Sequence, residues 1–234
     1  MANLSPTGQH LSPPQAVPAA WSPYAWQCFV ENEQPAPALE ADAEAATRLS
    51  RSLGVRLRLT DRGVAVSGER EQTRTVAAHA ARTLLRQQEI PAALSLWWDI
   101  PAGTTAAEVV PGIAEHLGRP RPRGENVCTW TTHVIAEQRL RLVVLANLEG
   151  ALHGKGIKNL RGGELPYLFK TLPHTLFLLV GTGLEHDLLT GPGADWLGHY
   201  VQFMTLAPRD AADRESGRSR LQPEPFAEDA AQDG

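Results

Sequence analysis

Four short apolar runs, set apart by helix-length segments, constrain the fold of this chain more than any other feature. They are Gly63 to Ser67 (GVAVS), Ala93 to Trp98 (ALSLWW), Leu142 to Leu145 (LVVL) and Leu176 to Val180 (LFLLV). Unbroken apolar strands are what a sheet covered on both faces requires. The spacing predicts helices over 39–53, 74–88, 104–117, 126–138, 160–172 and 184–189, and a fifth strand over 200–206. Gly54 is a C-terminal stop signal for the first of these helices, Thr104 or Thr105 a cap for the third, and Pro111 and Pro166 are breaks or kinks. Strands alternating with helices imply crossover connections and a mostly parallel sheet. Such sheets bind ligands at the carboxyl ends of their strands, so the informative residues follow each strand.

The chain has 234 residues, enough for one α/β domain with tails. Its net charge of -4 excludes a global basic field for nucleic acid, and leaves only a local patch for any DNA contact. Cys28 and Cys128 fit no metal or redox spacing and read as reduced thiols of a cytoplasmic protein. The start of the chain lacks the basic and apolar runs of a signal peptide, and no run approaches the ~18 apolar residues of a membrane span. Residues 1–37 read as a flexible Pro/Ala-rich arm. It carries an aromatic patch of Trp21, Tyr24, Trp26 and Phe29, read as packing back on the domain edge, with a docking peptide as the alternative. Residues 38–208 form the domain and 209–234 a disordered polar tail.

The first strand is followed by Ser67-Gly68-Glu69-Arg70-Glu71-Gln72-Thr73-Arg74-Thr75. A phosphate-binding loop needs G-x-x-x-x-G-K-[ST] at such a corner, so that backbone N–H groups and a lysine surround the phosphates. Gly68 holds the first glycine position and Thr75 the hydroxyl position, but Thr73 replaces the second glycine and Arg74 the lysine. A β-branched threonine resists positive φ, and arginine is a planar fork rather than a compact ammonium. Glu69 and Glu71 add negative charge where phosphates would lie. The pattern alone also fits an ordinary strand–turn–helix corner.

The third strand runs into Ala146-Asn147-Leu148-Glu149, where a hydrolase would place an acid for Mg²⁺ and a second acid to activate water. Ala146 ligates nothing, and Asn147 orients a water without accepting its proton. Glu149 is a displaced acid two residues further along. The fourth strand ends in Gly181-Thr182-Gly183, whose hydroxyl suits a phosphate or simply a turn. Gly198-His199-Tyr200 precedes the fifth strand without an arginine. No nucleophile elbow, zinc-protease helix or Cys/His metal spacing exists, and the eight histidines are scattered, so no metal site is read.

Taken in order, these residues resemble the TniB family of transposition AAA+ ATPases, relatives of TnsC and IstB, over about 62–208. RGVAVSG is similar to the family's P-loop strand, LRLVVLANLEG to its Walker B strand and TLFLLVGTG to its sensor strand. The resemblance implies an α/β three-layer P-loop NTPase fold of the AAA+ kind, with a mostly parallel five-stranded sheet and a helical lid that is missing or reduced here. Gly68, Arg74 and Thr75 fall at Walker A positions, Ala146 and Asn147 at the Walker B acids, Thr182 at the sensor and His199 at the finger arginine. Several catalytic stations are degraded together, which implies a catalytically inactive adaptor or regulator in DNA transposition or a related mobile-element assembly. Implied partners are an active AAA+ paralogue, a transposase, or DNA reached through Lys155, Lys158 and Arg161 in a basic loop, with oligomers as the family's assembly mode. One alternative is a weak ATP binder or ATPase using ATP with Mg²⁺ through Gly68, Thr73, Arg74, Thr75, Asn147 and Thr182. Another is a non-enzymatic regulatory scaffold unrelated to transposition.

Overall fold

The computed structural model describes residues 21–32, 40–59, 63–153, 156–191 and 193–208. Its centre is a five-stranded sheet: β1 (Gly63–Ser67), β2 (Ser95–Asp99), β3 (Leu142–Ala146), β4 (Leu176–Gly181) and β5 (Val201–Thr205). The order is β2-β3-β4-β1-β5 and every pairing is parallel. In register, Ser67 lies beside Gly181 and Thr205, Ala146 beside Val180, and Asp99 beside Ala146. The carboxyl ends of all five strands therefore form one edge.

Alternate strand residues point to opposite faces, and each face has its own core. Val64, Val66, Trp97, Val144 and Leu178 pack under α1 (Pro23–Glu31), α2 (Glu40–Arg56) and α3 (Arg70–Gln87). Ala65, Trp98, Val143, Leu145 and Leu179 pack against the other layer. That layer holds α4 (Ala106–His116), α5 (Val127–Glu137), α6 (Ile157–Asn159), a π-helical turn (Leu160–Glu164), α7 (Leu165–Thr171), α8 (Leu184–Leu189) and α9 (Ala194–Gly198). This is the three-layer α/β fold with a parallel five-stranded sheet that the apolar runs predict.

Several element bounds differ from the sequence reading, for local reasons. Where an extended arm is expected, Pro23–Glu31 is helical. Ser22 accepts a hydrogen bond from the Ala25 N–H as N-cap, and Pro23 opens the first turn. Residues 1–20 and 33–37 of that segment and the 209–234 tail lie outside the described residues. Helix α2 runs through Gly54 to Arg56, because Leu53 and Leu57 on either side are buried. Helix α4 opens with a capping box between Thr105 and Glu108, then tolerates Pro111. One residue later, Gly112 leaves room for the Trp98 indole, whose Cη2 would lie 2.3 Å from a Cβ added there. Pro166 sits in the first turn of α7, where its missing N–H costs little.

Burial gives two histidines a pH signature. Desolvation lowers the pKa of His116, against the opposing pull of a Trp97 backbone hydrogen bond and the Asp99 charge. It lowers that of His79 as well, aided by Arg82 and opposed by Asp42. The folded state therefore binds these protons less well than the unfolded chain does. The resulting stability is complete above the ordinary value of 6.5 and is lost as pH falls from there through the depressed folded values. Replacing both residues by glutamine is expected to flatten the fall in denaturation midpoint between about pH 7.5 and about pH 5.5. Equal slopes in the two proteins would contradict this.

Candidate functional site

Hydrogen bonds join the strand tips along the carboxyl edge. Ser67 Oγ accepts from the Leu184 N–H, the Leu206 N–H donates to Ser67 O, and Thr205 donates to Glu185 Oε2. The corner after β1 and the tip after β3 share this edge with β4 between them, as a cleft of this type requires.

The β1–α3 corner is short. Only Gly68 and Glu69 separate the strand from helix α3, which opens at Arg70 rather than at Arg74. Residues 70–73, which would span the loop of a phosphate cradle, are instead the first helical turn. Thr73 is fully buried, and its hydroxyl donates back to Glu69 O and Arg70 O. Gln72 is turned toward Asp42 and Ala207 O. Gly68 presses against the continuation of β5, with Leu206 Cβ 3.1 Å from where a Cβ of its own would stand. The alignment of Gly68, Thr73, Arg74 and Thr75 with a Walker A loop thus holds in sequence order but not in backbone shape. Lacking the second glycine, the segment is free to wind into helix at once.

Arg74 lies one turn into α3 and reaches sideways to the tip of β2. Its guanidinium pairs with Asp99, both side chains being more than nine-tenths buried, and it lies 5.9 Å from the Trp97 ring centroid. Asp99 also accepts the Trp21 N–H at 2.7 Å. The residue at the lysine position therefore ties α3 to β2 and to the entry of α1. Thr75 is half-buried further along the helix.

On the β3 side, Ala146 is buried at the strand end and Asn147 follows in the left-handed region, at φ 60°, opening a short 3-10 turn over Leu148–Ala151. The acid held at this crevice-forming edge, between the tips of β1 and β4, is Glu149. Its Oε1 accepts from Arg70 at 2.9 Å and from the Thr182 hydroxyl at 3.3 Å. Its Oε2 is buried over Gly181, 2.4 Å from where a Cβ would stand. The structure thus brings together Thr182 and Glu149 with Arg70, a residue that carries no motif position in the sequence. Arg70 is exposed, so this pair adds little stability. His199 is exposed beyond α9.

The basic loop separates into different roles. Lys158 is exposed, and Lys155 lies outside the described residues. Arg161 is buried and occupied: its guanidinium donates to the carbonyls of Asp187 and Thr190, anchoring the π-helical turn to the end of α8. A buried guanidinium with two carbonyl partners is not presented to a DNA backbone. Asp99 and Arg70 are the site residues that sequence reasoning misses. Asp99 has a signal, since it ends an apolar strand at the ligand-binding edge. Among the described residues, no three His, Cys, Asp or Glu side chains cluster to hold a metal, and no helix is long and apolar enough to cross a membrane.

No family model matches the chain, and no curated protein matches it. Among solved structures it is similar to the Aeropyrum pernix ORC1 protein in complex with DNA, at a TM-score of 0.53 and 17% identity. The match covers 82% of this chain and 53% of that one, so the chain spans about half the length of that structure. At this identity the likeness is one of fold alone.

Proposed function

We propose that this chain is a non-hydrolysing member of the AAA+ architecture that serves as an adaptor or regulator in a DNA transposition or related mobile-element assembly. The observation that carries the non-hydrolysing part is the closed β1–α3 corner. Helix starts where a phosphate loop would be, and the arginine at the lysine position is committed to Asp99. Ala146 and Asn147 at the tip of β3 supply neither a carboxylate for a metal ion nor a base, and Glu149 is engaged by Arg70 and Thr182. The resemblance to the TniB family supports the assembly part of the reading, and the DNA complexed with the ORC1 protein of similar fold is compatible with it.

Two measurements test the two parts. Titration with ATP and Mg²⁺, read as a thermal shift, is expected to give no shift that depends on the strand-tip residues Arg70 and Thr182, because a ligand stabilises only through the site it binds. A saturable shift abolished by Arg70→Ala or Thr182→Val would replace this reading with that of a weak nucleotide binder. Affinity capture with the full chain is expected to recover a transposase, an AAA+ partner or duplex DNA. Recovery of none of these would remove the assembly role and leave a regulatory scaffold.

A further inference from the structure

Away from the crevice, among α5, α6, α7 and α9, lies a cavity of about 750 Å³ that shares no lining residue with the strand tips. That volume is in the range of small-molecule sites, ~300–1,000 Å³. Its floor is bare backbone. Gly162 and Gly193 touch main chain to main chain, a Cβ on Gly193 falling 2.8 Å from Gly162 N, and Gly163 beside them faces open space. Glycine at Gly193 is further required by its φ of 86°. Gly162 and Gly163 belong to the π-helical turn over Leu160–Glu164, a distortion frequent at functional sites, and Gly193 opens α9.

Two aromatic side chains line the same cavity, and both are unusually exposed, Trp196 at 62% and Tyr167 at 40%. Single exposed rings are common on protein surfaces, but two that line one concave site are a recognition feature. The charged lining residues are Lys158, Asp195 and Glu164. Lys158 and Asp195 offset each other. Burial pushes the Glu164 carboxyl up, so it holds its proton further toward neutral pH and adds less negative charge. The groove thus offers flat apolar surfaces, a glycine floor that permits close approach, and polar groups at the rim without a strong field of either sign.

We propose that this groove binds a nucleobase, stacked on Trp196 and Tyr167 over the Gly162–Gly163 backbone, with Lys158 placed for the attached phosphate. A planar heterocycle uses each feature: its π-face meets the aromatic rings, its thin edge fits a floor without side chains, and its heteroatoms meet the polar rim. A globular peptide side chain would leave the flat floor unused. The base comes either from a free mononucleotide or from an unpaired position in a single strand. The chemistry recognised is the same, and the site is independent of the crevice and of its failure or success as a nucleotide cleft.

The test uses the full chain, titrated with AMP and, separately, with a single-stranded oligothymidylate of about ten nucleotides, a length within the ~4–16 spanned by small binding folds. Both titrations are read by tryptophan fluorescence and by calorimetry. Trp196→Ala removes the exposed platform without touching the core, and Gly163→Leu fills the groove from a position with open space. Each variant is expected to weaken binding about tenfold or more, as loss of one base–aromatic stack does. Arg70→Ala, in the crevice, is expected to change nothing. Binding of AMP that depends on Trp196 identifies a mononucleotide site, and binding of the strand alone with the same dependence identifies a strand site. Absence of binding by both probes at millimolar concentration, or binding that survives both groove variants, would overturn the proposal.

Discussion

Replacing Asp99 by alanine is expected to cost about 3–5 kcal/mol, the range for breaking a buried ion pair by removing one partner. Asp99 and Arg74 are each more than nine-tenths buried, and Asp99 also takes the Trp21 N–H. Removing the carboxylate leaves a guanidinium without this counter-charge inside the domain and an N–H without its acceptor, and both penalties run in the same direction. For a domain of this size a loss of that order lowers the denaturation midpoint by more than about 6 °C. The double variant Arg74→Met with Asp99→Leu is the informative partner. If the cost lies in the lost counter-charge, the apolar pair recovers most of the loss, because two well-packed apolar residues often equal a buried ion pair. Denaturant unfolding of the three proteins decides the matter. An Asp99→Ala midpoint equal to wild type would show that the Arg74–Asp99 pair adds no net stability.

Trp26→Ala is expected to cause a loss of comparable size, about 3–5 kcal/mol, as for deletion of a large buried aromatic side chain. Trp26 is 1% exposed and lies at the centre of a ring cluster, 5.0 Å from Trp97 and 5.7 Å from Trp21 between centroids. Its indole N–H donates to Ser95 Oγ at 2.9 Å in a buried setting. Trp26→Phe keeps most of the packing and loses the hydrogen bond, so it is expected to fall between wild type and alanine. The same cluster fixes helix α1 to β2, so the alanine variant is also expected to free α1 and expose its carboxyl end to proteolysis. Resistance of that helix to digestion in Trp26→Ala would mean that its polar contacts alone hold it.

The architecture is legible in the sequence because burial on both faces leaves a strong mark. Val64, Val66, Val143, Leu145, Leu178 and Val180 form continuous apolar runs only where two layers cover a strand. Thr105 likewise announces the start of α4, since a capping box is a local device. The site is less legible, and for a physical reason. Gly68, Arg74 and Thr75 keep the spacing of a phosphate loop, but spacing does not report where a helix starts. The winding of residues 70–73 decides that, and four helix-compatible residues without a second glycine give no barrier to it. Asp99 escapes a sequence reading because its partner on α3 is 25 residues away, a distance at which no periodic pattern operates. Helix α1 reads as an arm, although Ser22 and Pro23 carry a cap signature. The Pro/Ala-rich segment around them outweighs two residues of local chemistry.

Arginines 82 and 86 of α3 reach across to the closing carbonyls of α1, donating to Phe29 O, Val30 O, Glu31 O and Asn32 O. Together with the contact from Trp26 to Ser95 across 69 positions, this makes the first described helix depend on chain synthesised long after it. On a ribosome, α1 therefore emerges with Trp26, and Trp21 just before it, uncovered until α3 and β2 have been made. The earliest of the described helices is thus expected to dock late, its aromatic side chains lacking their native cover until α3 and β2 exist.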